Sequence, residues 1–177
     1  WALLHYGVDS SGYHNPVYFT AWGSGMNALE SYLMIPFVAL FGTGTAVLRL
    51  PQALMACLSL ICVYDLGKHI SGRRFALCAV AVLATSPWHI MMARWALESN
   101  LSPAFLLLGL CFFMRGLSRG RWLYASAAAY GFSLYTYATI WPIVPILVLA
   151  QAAYALWMKK LRLRNLIGPA LVLFLLA

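Results

Sequence analysis

Arg94 and Glu98 stand four residues apart in the run ARWALESN, with long apolar stretches on both sides. On one continuous helix such a pair shares a face. Two roles fit it. One is a surface ion pair at the end of a span, worth about 0.3–0.5 kcal/mol. The other is a carboxylate placed at a membrane–water boundary to deprotonate or orient a hydroxyl. Charge at membrane depth is costly, which gives the second role weight. Glu30 lies in the apolar run NALESYLMIPFVALFG, at helical spacing from Met26 and Met34. It is either an interfacial carboxylate facing water, or a metal ligand or substrate contact. Arg49, in VLRLP, is either a snorkelling anchor or a clamp for a phosphate, which the planar fork of its guanidinium matches. His89 reads as an interfacial side chain, and Tyr135, Tyr137 and Trp141 as part of an aromatic belt. Asp65, near Lys68 and His69, reads as structurally paired. Asp9, His5 and His14 share the opening stretch, and their chemistry is not assigned by their spacing.

The elements that must hold these residues are drawn by the charges. Ten of the twelve Lys and Arg fall in three clusters: Lys68, Arg73 and Arg74; Arg115, Arg119 and Arg121; Lys159, Lys160, Arg162 and Arg164. Apolar runs separate the clusters. Short basic loops stay cytoplasmic, so the clusters mark one side of a membrane. Arg49, Arg94, Asp9, Glu30 and Glu98 then fall on the other side, where a site is expected. The 177 residues are 63% hydrophobic and 9% charged, with a mean hydropathy of +0.80. A soluble domain carries about 25% charged residues. The composition therefore predicts an all-α, polytopic integral membrane helical bundle. The net charge of +8 belongs to topology-setting loops rather than to nucleic-acid binding. Cys57, Cys62, Cys78 and Cys111 sit inside apolar runs without metal-ligand spacing and read as small apolar filler. Nucleotide, zinc and redox signatures of the GxGxxG, Walker, HExxH and CxxC kinds are absent from the sequence.

Residues 1–45 read as an external loop containing a juxtamembrane helix, and 46–177 as about six transmembrane segments. The opening stretch, rich in Gly, Tyr, Trp, Ser and Asn, reads as an ordered polar loop. The apolar run 27–42 is shorter than the roughly 20 residues needed to cross hydrocarbon. Spans are expected at 46–67, 75–92 and 101–114. Two more are expected within 122–157, parted near TYATIWPIVP, where Pro142 and Pro145 end or kink helices. A last, incomplete one begins at 166. If 27–42 crossed, the opening loop, with Asp9 and no Lys or Arg, would be cytoplasmic; a helix lying at the interface fits better. The chain opens without an initiator Met or a basic leader and stops in an apolar run, as a fragment of a longer protein would.

The runs VDSSGYHNPVYF, WGSGMNALESYLMIPFVALFG, AVLRLPQAL, SPWHIMMARWALESNLSP and GFSLYTYATIWPIVP occur in this order. Together they resemble the N-terminal half of dolichyl-phosphate-mannose–protein mannosyltransferase-like enzymes of the GT-C superfamily. That group includes the bacterial aminoarabinose transferases acting on lipid A. The resemblance covers nearly the whole chain. It implies a polytopic bundle with juxtamembrane helices in the first external loop. It also implies inverting transfer of a sugar from a polyprenyl-phosphate carrier to a protein, lipid or glycan acceptor on the outer face of a bacterial inner membrane. By the same resemblance Glu98 takes the place of an acid in the second external loop, following Arg94, and is the expected catalytic group. Arg49 takes the place of the Arg in the RLP motif. Glu30 matches the metal-binding acid of the aminoarabinose transferases, which makes a divalent metal a candidate cofactor. Asp9 matches a later acidic position, with Ser10 where a second acid usually follows. Arg49, Arg94, Glu30 and Asp9 are thus the expected substrate-binding residues, and the family's first acidic motif, its catalytic base, would lie before Trp1. The alternative function is a transporter or flippase of lipid-linked or small polar solutes. It would call for charge at mid-span and paired broken helices, whereas the polar candidates here gather at span ends.

Overall fold

The computed structural model describes residues 2–9, 11–21 and 24–176. It is a helical bundle with one small hairpin. A short helix α1 (Ala2–Tyr6) leads into strands β1 (Tyr18–Ala21) and β2 (Ser24–Asn27). The helices α2 (Leu29–Phe41), α3 (Thr45–Thr85), α4 (Pro87–Arg94), α5 (Glu98–Gly116), α6 (Arg121–Ser133), α7 (Ile140–Trp157) and α8 (Leu163–Leu176) follow. The expected all-α membrane bundle is therefore the fold. α3, α5 and α7 are long and apolar enough to cross a membrane.

α3 is two arms. Gly72 adopts φ 84°, next to a non-helical Ser71, and glycine takes this left-handed conformation without steric cost. The arms fold back on each other at that point. A Cβ added to Gly67 would come 2.9 Å from the Cα of Ala76, whereas nine residues of straight helix would part them by about 13 Å. α5 and α6 pack as closely. A Cβ on Gly109 would lie 2.3 Å from the ring of Tyr130, and Ser126 donates its hydroxyl to the Gly109 carbonyl at 2.7 Å. Small residues at such seams let helix backbones approach where apolar burial alone gives little drive.

The turns segregate into two ends. At one end lie the Ser71–Gly72 turn, residues 117–120 and residues 158–162, and the three basic clusters lie in or beside them. Arg115 Nε reaches Asp65 at 3.1 Å there, and Leu161 packs with Phe113, Leu123 and Ala155. At the other end the hydroxyls of Ser102 and Thr136 hydrogen-bond at 2.7 Å, joining the start of α5 to the segment before α7.

Several boundaries differ from the sequence reading. The opening stretch is more than a loop: Tyr18 pairs with Asn27, and Phe19 with Met26, in an antiparallel hairpin. The expected span 75–92 stops at Thr85. Ser86 is extended at φ −64°, ψ 121°, because the residue before a proline is pushed out of the helical region. Pro87 then starts α4 at its first position, where its missing N–H costs nothing. The expected span 101–114 is longer at both ends and takes Glu98 into its first turn. The 122–157 stretch does divide before α7, at residues 134–139. Pro142 and Pro145 lie within the start of α7 rather than ending a helix. At 13 residues, α6 is shorter than the roughly 20 needed to cross. So is α2, with 13.

Candidate functional site

Glu98 owes its position to a break. Leu97 is extended at φ −123°, ψ 135°, so Glu98 opens α5, where a carboxylate complements the helix dipole. Asn100, in the same first turn, donates its side-chain amide to the carbonyls of Met92 at 3.2 Å and Trp95 at 3.0 Å. These bonds tie the end of α4 to the start of α5 and hold the bend between them. Arg94 and Glu98 consequently do not sit on one helix face. Arg94 ends α4, the chain turns through residues 95–97, and Glu98 begins the next helix.

Glu98 turns to the hairpin instead. Its Oε2 accepts the backbone N–H of Asn27, 71 residues away in the chain. Glu30 stands in the first turn of α2, three residues past Asn27, and is buried at 5% exposure. Its Oε1 is buried with no hydrogen-bond partner. Burial, and then the nearby charge of Glu98, push the Glu30 carboxyl up to about 7. Two carboxylates brought together in this way disfavour full ionisation of both. At neutral pH Glu30 is therefore the member of the pair that holds a proton for much of the time.

The arginines form the second half of the arrangement. Arg49, in the first arm of α3, and Arg94 both line a cleft of about 480 Å³ with Pro87, Ile90, Met91 and Trp95. Arg49 also lines an adjoining cleft of about 440 Å³ with Trp95, Ala96 and Leu97, the residues that run directly into Glu98. Both guanidiniums are exposed. Among the described residues the ion pairs are those of Asp65 with Arg115 and His69, so neither Arg49 nor Arg94 is neutralised by a carboxylate. Gln52, one turn after Arg49, is buried, and its Oε1 lacks a partner.

The structure thus joins Glu30 to Glu98 and Arg49 to Arg94. Asp9 has a different place. Its Oδ1 accepts the N–H groups of Ser11 at 2.8 Å and Tyr13 at 2.9 Å and holds the turn that leads to the hairpin. Among the described residues no contact joins it to the other four. Asn27, Asn100 and Gln52 were not singled out by the sequence reading. Asn100 had a local signal, an Asn just past a break. Asn27 had none, because its partner is remote. The four cysteines are free; Cys62 and Cys111 are buried, whereas Cys57 and Cys78 are exposed. A third cleft, of about 660 Å³, is walled by Tyr18 and Asn27 of the hairpin and by Tyr135, Ala138 and Trp141 near the start of α7.

The candidate divalent metal can be tested on the donor set. Glu30 and Glu98 meet, but no group of three or more His, Cys, Asp or Glu that could hold an ion forms among the described residues. Two carboxylates do not make an all-protein cage, but with a substrate phosphate they suit a cation such as Mg²⁺; Glu30 and Glu98 would hold it, and no step is routed through it.

The family model described as dolichyl-phosphate-mannose-protein mannosyltransferase matches residues 29–177. No curated protein and no solved structure matches the chain. The match takes in Glu30, Arg49, Arg94 and Glu98 and begins after Asp9 and the hairpin. With its apolar helical bundle, the chain belongs to the dolichyl-phosphate-mannose-protein mannosyltransferase family of membrane glycosyltransferases.

Proposed function

We propose that the end of the bundle carrying Glu30, Glu98, Arg49 and Arg94 is the glycosyl-transfer site. The donor is a sugar on a polyprenyl phosphate, the acceptor a hydroxyl of a protein, lipid or glycan, and the site faces the external side. One observation carries the reading: two unneutralised arginines share a cleft, and Arg49 also lines an adjoining one walled by the residues that precede a carboxylate. Arg49 and Arg94 bind the lipid phosphate through charge-assisted, forked hydrogen bonds. In place of the base that the resemblance puts before Trp1, Glu98 orients the acceptor hydroxyl and takes its proton. The acceptor oxygen then bonds to the anomeric carbon, the bond from that carbon to the phosphate oxygen breaks, and the configuration inverts. The electron pair leaves with the polyprenyl phosphate, whose charge the arginines stabilise. Glu30 is the more proton-retaining member of the pair, and Glu98 is the one nearer the arginine clefts. The donor arrives within the bilayer, in keeping with the absence of a nucleotide-binding signature from the sequence.

The test is steady-state kinetics on the full-length protein, with polyprenyl-phosphate mannose titrated at fixed acceptor. A snorkelling anchor needs only positive charge, whereas a phosphate clamp needs the fork. Arg49→Lys is expected to lower kcat/KM for the donor by roughly 10- to 150-fold, which corresponds to about 1.5–3 kcal/mol for a hydrogen bond to a charged group. Unchanged donor kinetics would leave Arg49 as an anchor and remove the clamp from the proposal.

A further inference from the structure

Two compartments border the Glu98 region, and they share no lining residue. One is cationic and holds Arg49 and Arg94. The other is the groove of about 660 Å³ whose wall includes Asn27, the residue whose backbone N–H is bonded to the Glu98 carboxylate. No charged residue lines this groove. Its volume falls in the range of small-molecule sites, roughly 300–1,000 Å³. Transfer needs two reactants at one carboxylate. The anionic one has its charge complement among the arginines, which leaves the uncharged groove for a neutral one.

We propose that this groove is the acceptor subsite, and that it takes a neutral amphipathic acceptor of the alkyl-glycoside type, with a sugar ring joined to an apolar chain. The proposal rests on the transfer reading given above and adds the place and the chemical class of the acceptor. The groove's chemistry fits that class. Its rings present faces more than donors. The Tyr135 hydroxyl is already donated to the Leu176 carbonyl at 2.8 Å, and Trp141 Nε1–H to the Leu134 carbonyl at 2.9 Å. Aromatic faces freed in this way pack against the apolar face of a sugar ring or an alkyl chain. Tyr18 is held as a wall by its neighbour across the hairpin: its ring covers Gly25, where an added Cβ would lie 1.8 Å from a ring carbon. Ala138 and Trp141 are exposed at the protein surface, Trp141 at 59%.

The experiment is photolabelling of the full-length protein with octyl α-mannoside carrying a diazirine on the octyl chain, with adducts mapped by mass spectrometry. Expected are adducts on Tyr18, Tyr135, Ala138 or Trp141. Excess octyl α-mannoside should suppress them, and polyprenyl phosphate should not. Ala138→Trp, which fills the groove from an exposed position, should cut this labelling at least tenfold, and Trp141→Ala should weaken it. Melting curves of both variants check that they fold. Adducts mapping elsewhere, or labelling indifferent to both substitutions, would overturn the proposal. Suppression by polyprenyl phosphate would make the groove a donor-tail site, and suppression only by a threonine peptide would make it a peptide site; either result overturns it too. Labelling requires no turnover, so failure here with an intact Arg49 dependence removes the groove assignment and leaves the transfer reading standing.

Discussion

Glu30 shows how much burial, and then a second acid beside it, changes a single carboxyl. In the unfolded chain it ionises near 4.5, and in the folded protein near 7. Between those values the folded state binds more protons than the unfolded one, so stability falls as pH rises through that window. The full cost is present above about pH 7. Glu30→Gln should abolish this slope and raise the melting temperature at pH 8 while leaving pH 4.5 nearly unchanged, the difference being roughly 1–3 kcal/mol. Melting in detergent across pH 4.5–8 checks it; parallel curves for wild type and variant would show that Glu30 ionises normally. The sequence marked Glu30 and Glu98 separately, because acids in apolar runs are conspicuous. Their meeting was not legible. It depends on Asn27 bringing the start of α2 to the start of α5 across 71 residues, and no local pattern encodes that distance. Arg94 and Glu98 do not share a face, because a four-residue spacing joins one only if the helix is unbroken, and the chain turns through residues 95–97.

At the scale of elements, the break at Ser86 was written in the sequence as Ser-Pro, a signal against helix at the preceding residue. Apolar continuity from 75 to 92 obscured it. The hairpin was hidden for the opposite reason, since two four-residue strands are too short for alternation to declare itself. The α5–α6 seam was equally silent, because a glycine in an apolar run does not say which ring will cover it. Gly109→Ala tests that seam. The added methyl meets the Tyr130 ring, and that ring is 1% exposed and cannot swing into solvent. Overpacking of this kind costs typically about 1–3 kcal/mol, so the melting temperature should fall by several degrees. An unchanged value would mean that α5 and α6 stand further apart than described.

For the whole molecule the charges told the most. Three basic clusters lie at one end of the bundle and the candidate site at the other, because short basic loops resist translocation whatever the packing of the helices between them. Single-cysteine labelling with an impermeant reagent gives this a direct reading. Probes at Ser11 and Thr43, which flank α2, should react from the same, external side, and a probe at Ser118 should not. Opposite-sided labelling of Ser11 and Thr43 would show that α2 crosses the membrane. Topology alone leaves the chemistry open, and the central claim is that Glu98 acts in transfer. The decisive measurement is turnover of sugar-labelled polyprenyl-phosphate mannose by the full-length protein carrying Glu98→Gln. Loss of a general base costs typically 10²–10⁴-fold, so kcat should fall by about 100-fold or more, with donor KM within roughly threefold of wild type and the melting curve retained. Near-normal turnover by Glu98→Gln would contradict the account and return Glu98 to a structural role at the start of α5.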